Sequence, residues 1–263
     1  MKMGVAGAAW ATNVSQLIAG VSCFVYMNRK YDILKGGRED RKMDGRFVRK
    51  LCGNGIPMGL QYSITAIGST ILQASVNMLG PVYVAAMTAG GKIFNFTCCP
   101  FDALGSTMAT YCGQNVGAGK YDRLGKGVMT ASIIGWIYSV VSFVVLVFTA
   151  RYISLLFVNP EETQIIDLTH RFICASALFY VFLTLVNVVR FSIQGMGFSG
   201  LAIIAGIFEM AARAFAAVVL VPAIGFDGAC LASPLAWVAA DIFLVSAFLH
   251  CRKTLVRISQ SRH

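Results

Sequence analysis

The residues able to do chemistry in this chain are charged and amide side chains set at helical spacing inside long apolar runs. Between positions 82 and 111, Thr88, Lys92, Asn95, Cys99, Asp102 and Ser106 follow one another at steps of 4, 3, 4, 3 and 4. That spacing keeps them on one side of a helix. Lys92 and Asp102 are ten residues apart, about 15 Å along a helix rising 1.5 Å per residue, so they do not pair with each other. Facing lipid, either charge would cost about 2.5–3.5 kcal/mol or more; both therefore face protein or water. Ion pairs with other helices would satisfy that demand, and so would the wall of a solvated cavity, which is the preferred reading. Pro100 leaves the carbonyl of Phe96 without its donor and predicts a kink in the middle of this face.

Weaker versions of the pattern recur. Gln61, Thr65, Ser69, Gln73 and Asn77 repeat every four residues, as glue against neighbouring helices or as cavity lining. Ser176, Tyr180, Thr184, Asn187 and Gln194 share one side of a later segment. Glu209 and Arg213 stand one turn apart and can pair within their helix, which reads as a neutralised structural pair. Ser233, Trp237 and Asp241 follow at four-residue steps, with Pro234 as a second kink.

The elements that must position these residues are set by composition. With 57% hydrophobic residues, 13% charged and a mean hydropathy of +0.68, the chain is too apolar for a soluble domain of its size. A bilayer core needs roughly 20 apolar residues per helix, and seven segments qualify: 4–27, 56–79, 82–111, 128–150, 168–193, 201–222 and 229–250. None alternates as a membrane β-barrel strand would, so the expected fold is an all-α integral membrane protein with about seven transmembrane helices. The first segment runs directly into Asn28, Arg29 and Lys30 and reads as a retained helix rather than a signal peptide. Residues 28–54 are the longest polar stretch. The second span is expected to open at Gly55, with Pro57 in its first turn.

The net charge of +10 is a matter of topology rather than of nucleic acid. Sixteen of the twenty-two basic residues fall at 29–50, 120–126 and 252–262, in alternate connections, which places the N-terminus outside and the C-terminus in the cytoplasm. The eight cysteines include no Cys-x-x-Cys and read as small apolar thiols, not metal ligands. The run GQNVGAGK at 113–120 looks like a phosphate-binding loop, but Gln114 and Tyr121 occupy the places that motif reserves for Gly and Ser or Thr. No clustered nucleophile, base or metal set suggests an enzyme: His170, His250 and His263 lie at span ends or in the tail.

Six runs, in order and over essentially the whole chain, resemble the MATE family of multidrug and toxin extrusion transporters: GIPMGL at 55–60, VAAMTAGGKI at 84–93, GQNVGAGK at 113–120, QGMG at 194–197, GIFEMAAR at 206–213 and GFDGA at 225–229. The resemblance implies twelve helices in two six-helix lobes, exchanging H⁺ or Na⁺ for an organic, often cationic, compound. Residues 1–27 would then be the last helix of a first lobe, 28–54 a basic inter-lobe loop, 55–251 a complete second lobe and 252–263 a basic cytoplasmic tail. The family's first five helices have no counterpart here, and where some members carry a glutamate this chain has Gln61 and Thr65. It therefore looks like the C-terminal portion of a transporter, a fragment needing a missing N-terminal lobe or a second chain. The expected function is secondary multidrug efflux by alternating access at the cell membrane. Lys92, Asn95, Asp102, Gln61, Thr65, Tyr180, Thr184, Asn187, Glu209, Arg213 and Asp241 are the cavity candidates, Pro100 and Pro234 the hinges, and no cofactor is expected beyond the coupling ion. A lipid-linked-precursor flippase of the same superfamily is the alternative. A seven-helix sensor is disfavoured, because 229–250 offers no lysine for a Schiff base.

Overall fold

The computed structural model describes residues 4–31 and 44–260 and divides the chain into two compact units, 1–51 and 52–263. In the first, α1 (Gly4–Lys30) is a single helix of 27 residues ending in Arg29 and Lys30, where basic groups complement the carbonyl end of the helix dipole. Lys30 donates to the Tyr26 hydroxyl at 2.8 Å. Helix α2 (Gly45–Leu79) begins ten residues before the expected opening of the second span at Gly55. The reason is a cap: Asp44 Oδ1 accepts from the backbone N–H of Arg46 at 2.9 Å, satisfying one of the free donors of the first turn. Pro57 consequently lies inside the helix rather than at its start. Positions 32–43 of the expected loop and 261–263 of the tail lie outside the described residues.

The second unit carries the remainder of α2, then α3 (Pro81–Gly117), α4 (Asp122–Ser154), α5 (Thr163–Leu178), α6 (Tyr180–Gly195) and α7 (Gly200–Phe215). A π-helical turn (Ala216–Leu220), the short α8 (Val221–Ile224) and α9 (Phe226–Gln260) complete it. Turns are set by glycine in left-handed backbone: Gly80, at φ 119° before Pro81, reverses the chain from α2 into α3, a conformation glycine adopts without a Cβ penalty. The seven apolar segments map onto seven helical runs, of which the fifth is broken: α5 and α6 meet at Phe179 with a bend of 54°. By length and composition, α4, the α7-to-α8 run and α9 are each apolar enough to cross a membrane, and the α5–α6 pair is a fourth such span. Helices α2 and α3 fall below that measure because their polar faces lower the mean hydropathy.

Neither Pro100 nor Pro234 interrupts its helix. Beside Pro100, whose ring crowds the preceding turn, the Tyr138 hydroxyl donates to the Thr97 carbonyl at 2.9 Å and ties α4 to α3 there. The π turn has a clearer origin. Pro222 cannot supply the N–H that a π turn would send to the Ala217 carbonyl, and Ser75 of α2 donates to that carbonyl instead, at 3.0 Å.

The core lies between α3, α4, α5, α6 and α9. Tyr180, fully buried, sits edge-on to Phe101 at 5.3 Å and beside Phe94 and Trp237. Its hydroxyl bonds Thr97 at 2.8 Å, so the one polar atom of a buried ring is satisfied. Helices α3 and α6 touch backbone to backbone: a Cβ on Gly195 would stand 2.3 Å from the Ala109 carbonyl oxygen. Small residues allow such approach where no hydrophobic force drives helices together.

Candidate functional site

Five helices line an open cavity of about 390 Å³. Helix α3 contributes Asn95 and Asp102, α2 contributes Gln61, and α6 contributes Asn187 and Arg190. Glu209 and Arg213 of α7 and Ser233 and Trp237 of α9 complete the lining. The amide of Gln61 is fixed by Gln194, whose Nε2 donates to its Oε1 at 2.8 Å. Asn187 is tied back to the Leu183 carbonyl at 3.3 Å.

The charged groups in and just behind the wall of this cavity fall into two sets. Arg190 donates to Glu209 Oε1 across the α6–α7 contact, and Arg213 donates to Glu209 Oε2 at 3.2 Å along α7. All three side chains are more than nine-tenths buried. Asp241 is equally buried, and it lies within electrostatic reach of Arg190 and Glu209. Two guanidinium groups and two carboxylates make a set with no formal net charge when all four are ionised. Asp102 forms the other set by itself: it is exposed on the α3 wall, and among the described residues no side-chain donor reaches its carboxylate. An exposed, unpaired carboxylate in an otherwise charge-balanced cavity has the chemistry to hold a cation or a proton.

Several expected cavity residues lie elsewhere. Lys92 does not share the Asn95–Asp102 side: it lines a separate, apolar pocket of about 630 Å³ and rests over the Phe157 ring, its Nζ 5.2 Å from the centroid. At 3.6 residues per turn, the ten residues to Asp102 rotate Lys92 about 80° away around the helix axis. A stripe that looked like one face in sequence is thus wide enough to serve two surfaces. Tyr180 and Thr184 are core residues, not cavity lining; Thr184 shares a hydrogen bond with Ser139 of α4 at 3.0 Å. Thr65 is outside the lining, with its hydroxyl buried and unbonded. Asp241 sits behind the wall, one turn beyond Trp237. Glu209 and Arg213 do pair along their helix, but α6 supplies Glu209 with a second partner. That partner, Arg190, was missed in the sequence, although it is the one charged residue in the apolar stretch 172–193 and carries the same signal that singled out Lys92. Among the described residues no three His, Cys, Asp or Glu side chains come together to hold a metal ion.

Comparison with known proteins follows this architecture. The MatE family model matches residues 57–219. The probable multidrug resistance protein YoeA of Bacillus subtilis (strain 168) is 22% identical over 199 residues, 74% of this chain and 42% of the relative. The probable multidrug resistance protein YpnP of the same organism is 30% identical over 124 residues, 47% of this chain and 27% of the relative. A crystal structure of MATE in complex with MaL6 superposes with a TM-score of 0.85 at 17% identity, covering 98% of this chain and 58% of that one. The chain thus spans less than half the length of these curated relatives and somewhat over half of the solved structure. With more than half of its residues matched by the family model and its helices laid out as in the solved relative, the chain belongs to the MatE family.

Proposed function

We propose that this chain supplies one lobe of a secondary transporter that exports organic cations in exchange for H⁺ or Na⁺ by alternating access. The observation that carries the reading is the pairing of a cavity of about 390 Å³ with one unpaired carboxylate, Asp102, on its α3 wall. In the proposed cycle Asp102 holds either the coupling ion or the positive end of the substrate, while Asn95 and Gln61 orient it and Trp237 supplies an aromatic surface. A second lobe, from elsewhere in the protein or from another chain, would close the cavity. The basic connections then face the cytoplasm, with the C-terminus on that side of the cell membrane, and the similarity to probable multidrug resistance proteins supports a broad organic substrate. The flippase alternative needs a cavity that welcomes a polyanionic headgroup. Arg190 and Arg213 point that way, but Glu209 and Asp241 offset them and Asp102 adds a further negative group.

The test is efflux of a dye cation by the full-length protein in proteoliposomes under an imposed H⁺ or Na⁺ gradient. The expected outcome is gradient-driven efflux that falls at least tenfold in Asp102→Asn. Efflux and ion dependence unchanged in that variant would remove Asp102 from the coupling role.

A further inference from the structure

Behind the cavity wall the hydrogen bonding is lopsided. Glu209 accepts from two arginines, one on each oxygen, whereas both oxygens of Asp241 are buried with no donor. Arg190 Nε, in turn, is a buried donor with no acceptor, and Arg190 lies close enough to Asp241 to act on its charge. A buried carboxylate with no donor, within electrostatic reach of an arginine whose Nε–H has no acceptor, is an ion pair that has not been made. Leaving a buried charge in that state is costly, and the same four side chains have two arrangements that avoid it. In one, Arg190 bonds Glu209 and Asp241 carries a proton. In the other, Arg190 bonds an ionised Asp241, and Arg213 alone holds Glu209. We propose that Asp241 is a proton site of this lobe and that Arg190 moves between Glu209 and Asp241 according to whether the site is filled.

The exchange balances without any redox step. When the Asp241 O–H bond breaks, the proton leaves to cavity water through the wall that Arg190 and Glu209 share with Asp241. An N–H···O bond from Arg190 to Asp241 then forms as the one to Glu209 breaks. The charges facing Asp241 support two states. Helix α6 brings Arg190, with Tyr180 further up already bonded to Thr97, and α7 brings Glu209 and Arg213. On α5, Arg171 pairs with Asp227, Asp167 with Arg151, and His170 contacts the Val147 carbonyl, with Cys174 against its ring. The π turn and α8 carry no ionisable side chain. Counting Asp102, the site is neutral with the proton bound and carries one negative charge without it, so an organic cation and a proton compete even though they occupy different carboxylates. This consequence rests on the proposed transport reading; the proton site itself does not.

The test is pH-difference infrared spectroscopy of the purified full chain in nanodiscs. The expected result is a titrating protonated-carboxyl C=O band that shifts when aspartate is labelled with carbon-13 at its side-chain carboxyl. The band should be lost in Asp241→Asn and retained in Asp102→Asn. In Glu209→Gln, Arg190 loses its charged acceptor and settles on Asp241, so the band should also vanish with Asp241 intact. If Asp241→Asn does not fold, the isotope shift in the unmodified protein and the Glu209→Gln variant still decide the matter. A band at full amplitude in Asp241→Asn, or no isotope-sensitive band at any pH, overturns the proton site; a band unchanged in Glu209→Gln overturns the Arg190 exchange. None of these readings needs transport, so a failure of gradient-driven efflux counts against the proposed function and not against this site.

Discussion

Glu209 and Asp102 line the same cavity and are opposite kinds of carboxylate. Glu209 is 3% exposed and held by two arginines from two helices. Asp102 is exposed and unpaired on a third helix. The first joins α6 to α7; the second joins nothing. One cavity can therefore carry acidic groups that hold the lobe together and an acidic group that is free to bind, and burial with partners, not residue type, separates them.

The contrast is broken most severely at Glu209. Glu209→Ala leaves Arg213 buried without its counter-charge and Arg190 with Asp241 alone, a change expected to cost about 3–5 kcal/mol. In the detergent-solubilised protein this should appear as a large fall in the thermal unfolding midpoint. A midpoint within a degree or two of the parent would mean that water or Asp241 compensates fully, and the structural role given to Glu209 would fail.

A second way to sharpen it lies away from any charge. Gly195→Ala sets a methyl group 2.3 Å from the Ala109 carbonyl oxygen, so α3 and α6 must separate. Overpacking of this kind typically costs about 1–3 kcal/mol. Because α3 carries Asp102 and α6 carries Arg190, their separation should widen the cavity as well as lower stability. Cysteine crosslinking between the two helices would report the change as slower closure.

Ser75→Ala tests a smaller interaction on the α2 side. It removes the donor to the Ala217 carbonyl, which has no other partner in the π turn because Pro222 lacks an N–H. Side-chain hydrogen bonds between membrane helices average about 0.6 kcal/mol, so the expected outcome is a small fall in midpoint with faster amide exchange confined to the π turn. Equal exchange in both proteins would show that the turn does not depend on α2.

The expected cavity residues that do line one in the structure are those whose type is improbable in their surroundings. Asp102, Asn95, Gln61 and Asn187 are polar in an apolar run, and periodicity was enough to bring them to a cavity. Periodicity failed where it had to distinguish two sides of one polar stripe. Lys92 is about 80° from Asp102, and only the Phe157 ring shows which surface it serves. Tyr180 and Thr184 were indistinguishable from lining residues because a hydroxyl satisfied by Thr97 or Ser139 looks, in sequence, like one waiting for solvent. The seven helical runs were legible from apolar length. The start of α2 was not, since its cap, Asp44, lies in a run of charges that reads as a loop, and neither was the α5–α6 break at Phe179, where neither glycine nor proline marks the bend.

The smallest expected effect on stability belongs to Asp102, and its smallness is informative. Asp102→Asn removes a charge that is exposed and bonded to nothing, so the unfolding midpoint should move by less than the equivalent of about 0.5 kcal/mol. Its backbone carbonyl keeps the bond from the Ser106 hydroxyl at 2.9 Å, and the helix is otherwise untouched. If the comparison with Glu209 holds, the two variants separate cleanly: one loses the fold with whatever the fold does, the other keeps the fold and loses cation affinity. A large destabilisation in Asp102→Asn would reveal a partner for this carboxylate outside the lobe and would place Asp102 with Glu209, among the groups that hold helices together.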